Sequence, residues 1–267
     1  MKNTLQTRYE GFLKTPCLWR GNQVFGLRQF KIESSISKIN ITIESGLRLG
    51  KYIERLVSFE LTQQKNIRVL AENIQIRKDK LTLGELDCLL LKNKQPIHLE
   101  IIYKFYLYDN SVGTYEIEHF IGPNRKDALI EKLTKLKDKQ LPLLHTNTCK
   151  PYLDTFDLKA ATIKQQVYFK AQLFLPFANQ NIQLNTLNDD CVVGFYITKN
   201  ELAVFRDCKF YIPAKKDWLI TPHTNVDWLS FKEITTITKD YFEQKYSALI
   251  WVKYKSGLMK KVFLVWW

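Results

Sequence analysis

The stretch that decides the fold reads Thr82-Leu-Gly-Glu-Leu-Asp-Cys-Leu-Leu-Leu91, then Lys92-Asn-Lys-Gln-Pro96, then Ile97-His-Leu-Glu-Ile-Ile-Tyr-Lys-Phe-Tyr-Leu107. Two apolar runs rich in strand formers, Leu83–Leu91 and Ile97–Leu107, flank a polar break, the pattern of a β-hairpin. A turn at Asn93-Lys94 sets Asp87 opposite Glu100. Cross-strand partners have Cβ atoms about 5 Å apart. Two carboxylates that close repel unless they share a proton or a cation. Keeping such a pair within apolar strands is costly, and a divalent metal is one physical reason to keep it.

Side chains on a strand alternate faces, so His98, Glu100, Ile102, Lys104 and Tyr106 share one face. Asp87 and Glu85 point the same way on the partner strand. Upstream, residues 47–61 carry Leu49, Ile53, Leu56 and Val57 at helical spacing, with Glu54 beside that stripe. Packed on the hairpin, such a helix would bring Glu54 to Asp87, Glu100 and Lys104. This set suits metal-assisted phosphodiester hydrolysis. Asp87, Glu100 and Glu54 are the hard oxygen ligands that Mg²⁺ or Mn²⁺ prefers, and Lys104 would stabilise phosphorane charge or position the attacking water. The plainer alternative is a solvated Glu–Lys face with Asp87 as an edge-strand charge.

Around this centre, residues 68–76 read as a strand ended by a turn at Lys78-Asp79-Lys80, and residues 115–121 as a short strand. Gly122-Pro123-Asn124 is expected to open a helix running to about Gln140, closed by Pro142, with Leu129, Leu133 and Leu136 buried. On another face Arg125, Lys132 and Lys139 recur every seven residues, with Lys135 beside them. Such a ridge gives sequence-independent affinity for phosphates, or is simply a solvated face. Gln140 extends the apolar stripe, and either looks into the cleft or is a buried, satisfied glutamine. His98 reads as structural, or as a group supporting Glu100. The tryptophans 218, 228, 251, 266 and 267 read as core before base-stacking platforms.

Residues 150–267 look β-rich: Gln166–Pro176, Val192–Ile197, Leu202–Tyr211, Ser247–Tyr254 and Val262–Trp267 are strand-like, with one helix near 228–243. The expected division is 1–148, an N-terminal lead-in (to about residue 43) with an α/β domain, and 149–267, a β-rich domain or extension.

Forty Lys and Arg against twenty-seven Asp and Glu give a formal net charge of +13, which favours polyanionic partners. The five scattered cysteines form no C-x-x-C, which argues against zinc and a disulfide framework and for a reducing cytoplasm. The sequence shows no signal-peptide h-region and no membrane-length apolar stretch. It also lacks a P-loop, a Rossmann fingerprint, G-x-S-x-G and H-E-x-x-H.

The acid–spacer–Glu pattern on a hairpin, preceded by a Glu-bearing helix, resembles the PD-(D/E)XK nuclease superfamily. Leu49-Gly-Lys-Tyr-Ile-Glu-Arg-Leu, Leu70-Ala-Glu-Asn-Ile-Gln-Ile, Thr82-Leu-Gly-Glu-Leu-Asp and His98-Leu-Glu-Ile-Ile-Tyr-Lys resemble a bacterial family of uncharacterised proteins, domain of unknown function 1853, grouped with that fold. Gly122-Pro-Asn and Lys139-Gln-Leu-Pro-Leu add to the likeness. The resemblance implies a restriction-endonuclease-like α/β core, a mixed sheet flanked by helices, followed by a β-rich C-terminal region. It also implies a Mg²⁺- or Mn²⁺-dependent nuclease acting on nucleic acid, DNA ahead of RNA. Glu54 matches the helix acid, Asp87 the metal-binding aspartate and Glu100 the second acid. The superfamily's lysine position is Ile102 here, and Lys104 lies two residues, about 6.6 Å, further along the strand. That departure keeps open a catalytically degenerate module that binds nucleic acid or protein.

Overall fold

Asn93 and Lys94 both adopt left-handed backbone, φ 51° and 67°, as a two-residue hairpin turn with the right twist requires. In the computed structural model, which describes residues 4–21, 24–33 and 36–267, this turn joins two long strands. In chain order the first elements are α1 (Thr4–Lys14), α2 (Leu49–Thr62), β1 (Ile67–Lys78), β2 (Leu81–Lys92), β3 (Gln95–Tyr108), β4 (Phe120–Ile121), α3 (Leu129–Lys135) and α4 (Lys150–Asp154). Then come β5 (Lys164–Pro176), β6 (Val192–Thr198), β7 (Lys209–Tyr211), α5 (Phe231–Glu243), β8 (Ala248–Lys253) and β9 (Met259–Val265). The fold is mixed α/β, with helices and a nine-strand mixed sheet. Two compact units share the chain: residues 17–103 with 131–170, and residues 1–16 with 104–130 and 171–267.

The first of these units contains the hairpin. β1, β2 and β3 follow one another as antiparallel neighbours. β2 pairs with β3 from Lys92↔Gln95 to Cys88↔Leu99, the register expected from the sequence. α2 turns Ile53, Leu56 and Val57 inward and keeps Glu54 half-buried, because three- and four-residue spacings gather on one helix face. A core of Ile76, Leu86, Leu89, Leu143, Leu144 and Leu153 fills in beneath β1 and β2.

The second unit is built on β5, β6, β9, β8 and β7 in that spatial order. β6 lies parallel to β5 and β9, whereas β8 runs antiparallel to β9 and β7. α5 starts at Ser230, whose hydroxyl accepts from the Glu233 N–H while the Glu233 carboxylate takes the Ser230 N–H, a reciprocal capping box. Ile234 and Thr238, four apart, are its buried positions.

Several expected boundaries move. The lead-in contains the helix α1, and its residues 1–3, 22–23 and 34–35 lie outside the described residues. The helix expected from Gly122 begins only at Leu129. Arg125 is left-handed (φ 56°), and the Gly122 N–H bonds the Asp127 carbonyl, so residues 122–127 close a turn instead. Nor does Pro142 end the helical path. After α3 the chain widens into a π-turn over Leu136–Gln140, with the Leu141 N–H on the Leu136 carbonyl. It then tightens into a 3₁₀ turn over Leu141–His145. Pro142 sits in the first positions of that turn, where a missing N–H costs nothing.

Residues 115–121 form a 3₁₀ turn, Glu116–His119, before the two-residue β4. The run expected as a strand over Leu202–Tyr211 is a 3₁₀ turn, Glu201–Phe205, followed by β7. Glu201 takes the Thr198 N–H at 2.8 Å and its hydroxyl at 2.9 Å, and Leu202 and Phe205, three apart, are the buried pair.

Candidate active site

The β2–β3 ladder stops at Cys88↔Leu99, one step short of Asp87 and Glu100. From there β2 continues only beside β1. The Asp87 carboxylate takes over the role of the backbone: its Oδ2 accepts the Ile101 N–H at 2.9 Å. The two acids thus lie just past the end of the β2–β3 ladder.

Glu100 is fully buried, and each of its oxygens has a donor. Gln140 Nε2 donates to Oε2 at 2.6 Å, and His98 Nε2 lies 3.1 Å from Oε1. The orientation of both donors is fixed from behind. Lys132, a pure donor, gives Nζ to Gln140 Oε1 at 2.8 Å, so the amide nitrogen must face Glu100. Gln165 Nε2 donates to the Leu141 carbonyl at 2.6 Å and lies 3.1 Å from His98 Nδ1. An amide NH₂ only donates, so Nδ1 accepts, and the proton of the neutral ring sits on Nε2, directed at Glu100. Each Glu100 oxygen keeps a further lone pair.

Burial pushes the Asp87 carboxyl up to about 7, helped by the charges of Glu100 and then Glu54, and opposed by the Ile101 N–H and by Lys132. Near neutral pH Asp87 therefore still carries its proton part of the time. Glu54, from α2, is also raised by burial, against the pull of its ion pair with Lys51. Lys51 Nζ donates to Glu54 Oε2 at 2.9 Å, to Asn73 Oδ1 at 2.6 Å and to Glu85 Oε1.

The same unit thus brings together Glu54, Asp87, Glu100, Lys132 and Gln140 from the sequence-based set. Lys135 and Lys139 are exposed, the latter within the π-turn. Lys104 and Arg125 fall in the other unit, each with an acid of its own. Lys104 Nζ is 2.6 Å from Asp127 Oδ2. Arg125 is 2.7 Å from Asp109 and lies 4.5 Å over the Trp267 ring, so it is not part of a helical ridge with Lys132. Lys51, Asn73 and Gln165 were missed by sequence reasoning. Only Lys51 left a signal, an i,i+3 spacing to Glu54.

Among the described residues no group of three or more His, Cys, Asp or Glu is placed to hold a metal ion. Two carboxylates suffice for Mg²⁺, which keeps several waters and is commonly bound through one or two acids plus substrate phosphate. The Asp87–Glu100 pair, with its raised carboxyl and spare lone pairs, fits that donor set.

A model of a domain of unknown function (DUF1853) matches residues 27–265. The chain belongs to that family. The DUF1853 match spans every residue of the carboxylate cluster, from Lys51 to Gln165. No curated protein and no solved structure matches the chain. Among the described residues no helix is long and apolar enough to cross a membrane.

Proposed function

We propose that the chain is a divalent-metal-dependent nuclease, hydrolysing phosphodiester bonds of nucleic acid with DNA ahead of RNA, on a core akin to the PD-(D/E)XK fold. One observation carries the reading: Asp87 and Glu100 meet where β2 parts from β3, in a polar network that fixes both. Asp87 and Glu100 would hold Mg²⁺ or Mn²⁺. When bound, the metal polarises a phosphoryl oxygen and lowers the pKa of a water.

The protein's own groups do the rest. His98 and Gln140 orient Glu100, and the Ile101 N–H orients Asp87. Lys132 sets positive charge behind the pair, and Glu54 adds negative charge beside Asp87. Exposed Lys135 and Lys139 and the net charge of +13 favour a polyanion, through phosphate contacts that ignore sequence.

A second reading is a nucleic-acid-binding module without turnover. It is favoured by buried, apolar Ile102 at the superfamily's lysine position and by the pairing of Lys104 with Asp127. Mn²⁺-dependent cleavage of single- and double-stranded DNA and RNA, wild type beside Asp87→Ala, separates the two. Cleavage by the wild type alone supports the nuclease. Salt-sensitive binding with no cleavage at any metal concentration sinks it in favour of the module.

A further inference from the structure

We propose that the ammonium of Lys51 holds the place of a second metal ion, so that the site takes one divalent cation per chain. This rests on the reading of Asp87 and Glu100 as the metal-holding pair.

Three oxygens from three elements converge on Lys51 Nζ. Glu54 Oε2 comes from α2 at 2.9 Å, Asn73 Oδ1 from β1 at 2.6 Å, and Glu85 Oε1 from β2. Two carboxylates and an amide carbonyl are the donors a hard cation takes. Here a lysine ammonium, itself bound to all three, is the cation they surround. Asn73 is placed for this purpose at a local backbone cost. It lies within β1 between Glu72, which pairs with Cys88, and Ile74, which pairs with Leu86, yet its backbone is left-handed at φ 56°. Asparagine is among the few residues that tolerate that conformation.

The set adjoins the Asp87–Glu100 pair, since the Glu54 charge acts on both Asp87 and the Lys51 ammonium. Two-metal phosphodiesterases place their ions roughly 4 Å apart over shared or neighbouring acids. In this chain the neighbouring acids are committed to an amine. Ammonium–oxygen contacts of 2.6–2.9 Å leave no room for a metal that needs its ligands at about 2.1 Å. The Lys51 side chain is 45% exposed, so it can be replaced without emptying the core.

Counting bound Mn²⁺ by calorimetry, with electron paramagnetic resonance as a second count, tests this without reference to activity. Wild type is expected to bind one equivalent. Lys51→Met should bind two, and Lys51→Arg, which restores the charge, should bind one. Lys51→Gln serves if the methionine variant does not fold, with two equivalents again expected. One equivalent in both wild type and the charge-removed variant overturns the role of Lys51 and leaves the Asp87–Glu100 reading standing. Two equivalents in wild type do the same. No Mn²⁺ bound by wild type overturns the metal-holding pair, and the role of Lys51 with it.

Discussion

Gln140 and Glu100, forty residues apart, share a 2.6 Å hydrogen bond in which the glutamine is the donor because Lys132 occupies its carbonyl. The carboxylate is fully buried, so this amide is half of its solvation shell. Gln140→Leu would leave Glu100 Oε2 without that donor and take an acceptor from Lys132. Loss of one partner of a buried charged group costs about 1–3 kcal/mol. Urea denaturation of the metal-free protein should show a loss of that size, and a variant as stable as wild type would mean that Glu100 does not depend on the amide.

The Asp87 carboxyl titrates near 7 in the folded protein against an ordinary value of 3.8, chiefly through burial and then the Glu100 charge. The folded state therefore holds a proton that the unfolded chain gives up. Its contribution to stability is fully present below about pH 4, is lost as pH rises towards 7, and is constant above. The total change is on the order of 4 kcal/mol, since each unit is worth about 1.4 kcal/mol. Asp87→Asn should flatten this slope relative to wild type in unfolding free energies measured from pH 4 to 8.

Mn²⁺ at about one hundred times its Kd should stabilise the protein by about 2.7 kcal/mol through mass action. A rise in Tm is expected for wild type and none for the double variant Asp87→Asn, Glu100→Gln. Identical melting with and without Mn²⁺ would remove the metal from the proposed function.

Ser230 caps α5 in a reciprocal box with Glu233. Ser230→Ala should cost about 1 kcal/mol, the usual worth of such a cap, with no effect on Mn²⁺ binding. A change in Mn²⁺ stoichiometry in this variant would show that metal binding responds to general destabilisation.

The hairpin was legible because its signals are local. Asn93-Lys94 sets the turn, the apolar runs set the strands, and together they set the register as far as Cys88↔Leu99, one step short of Asp87 and Glu100. The stripe of Leu129, Leu133 and Leu136 pointed to Gln140 as an inward residue for the same reason. Arg125 was misread because a seven-residue recurrence assumes continuous helix, and its left-handed backbone is invisible to a periodicity count. Leu202 and Phe205 misled in the opposite sense: a short apolar run does not distinguish a strand from a tight helical turn. Lys51 escaped because two of its three acceptors, Asn73 and Glu85, are brought to it only by the packing of α2 on the strands.

The two-residue turn at Asn93-Lys94 acts as the gauge of the site. Asp87 lies six residues before it and Glu100 six after. Side chains alternate along each strand, so adding or deleting a single residue at this turn, without touching any acid, would carry one carboxylate to the opposite face of the sheet. The spacing of this loop is therefore as much a part of the chemistry as the acids themselves, and a lineage can lose the site through a one-codon insertion at a solvent-exposed bend.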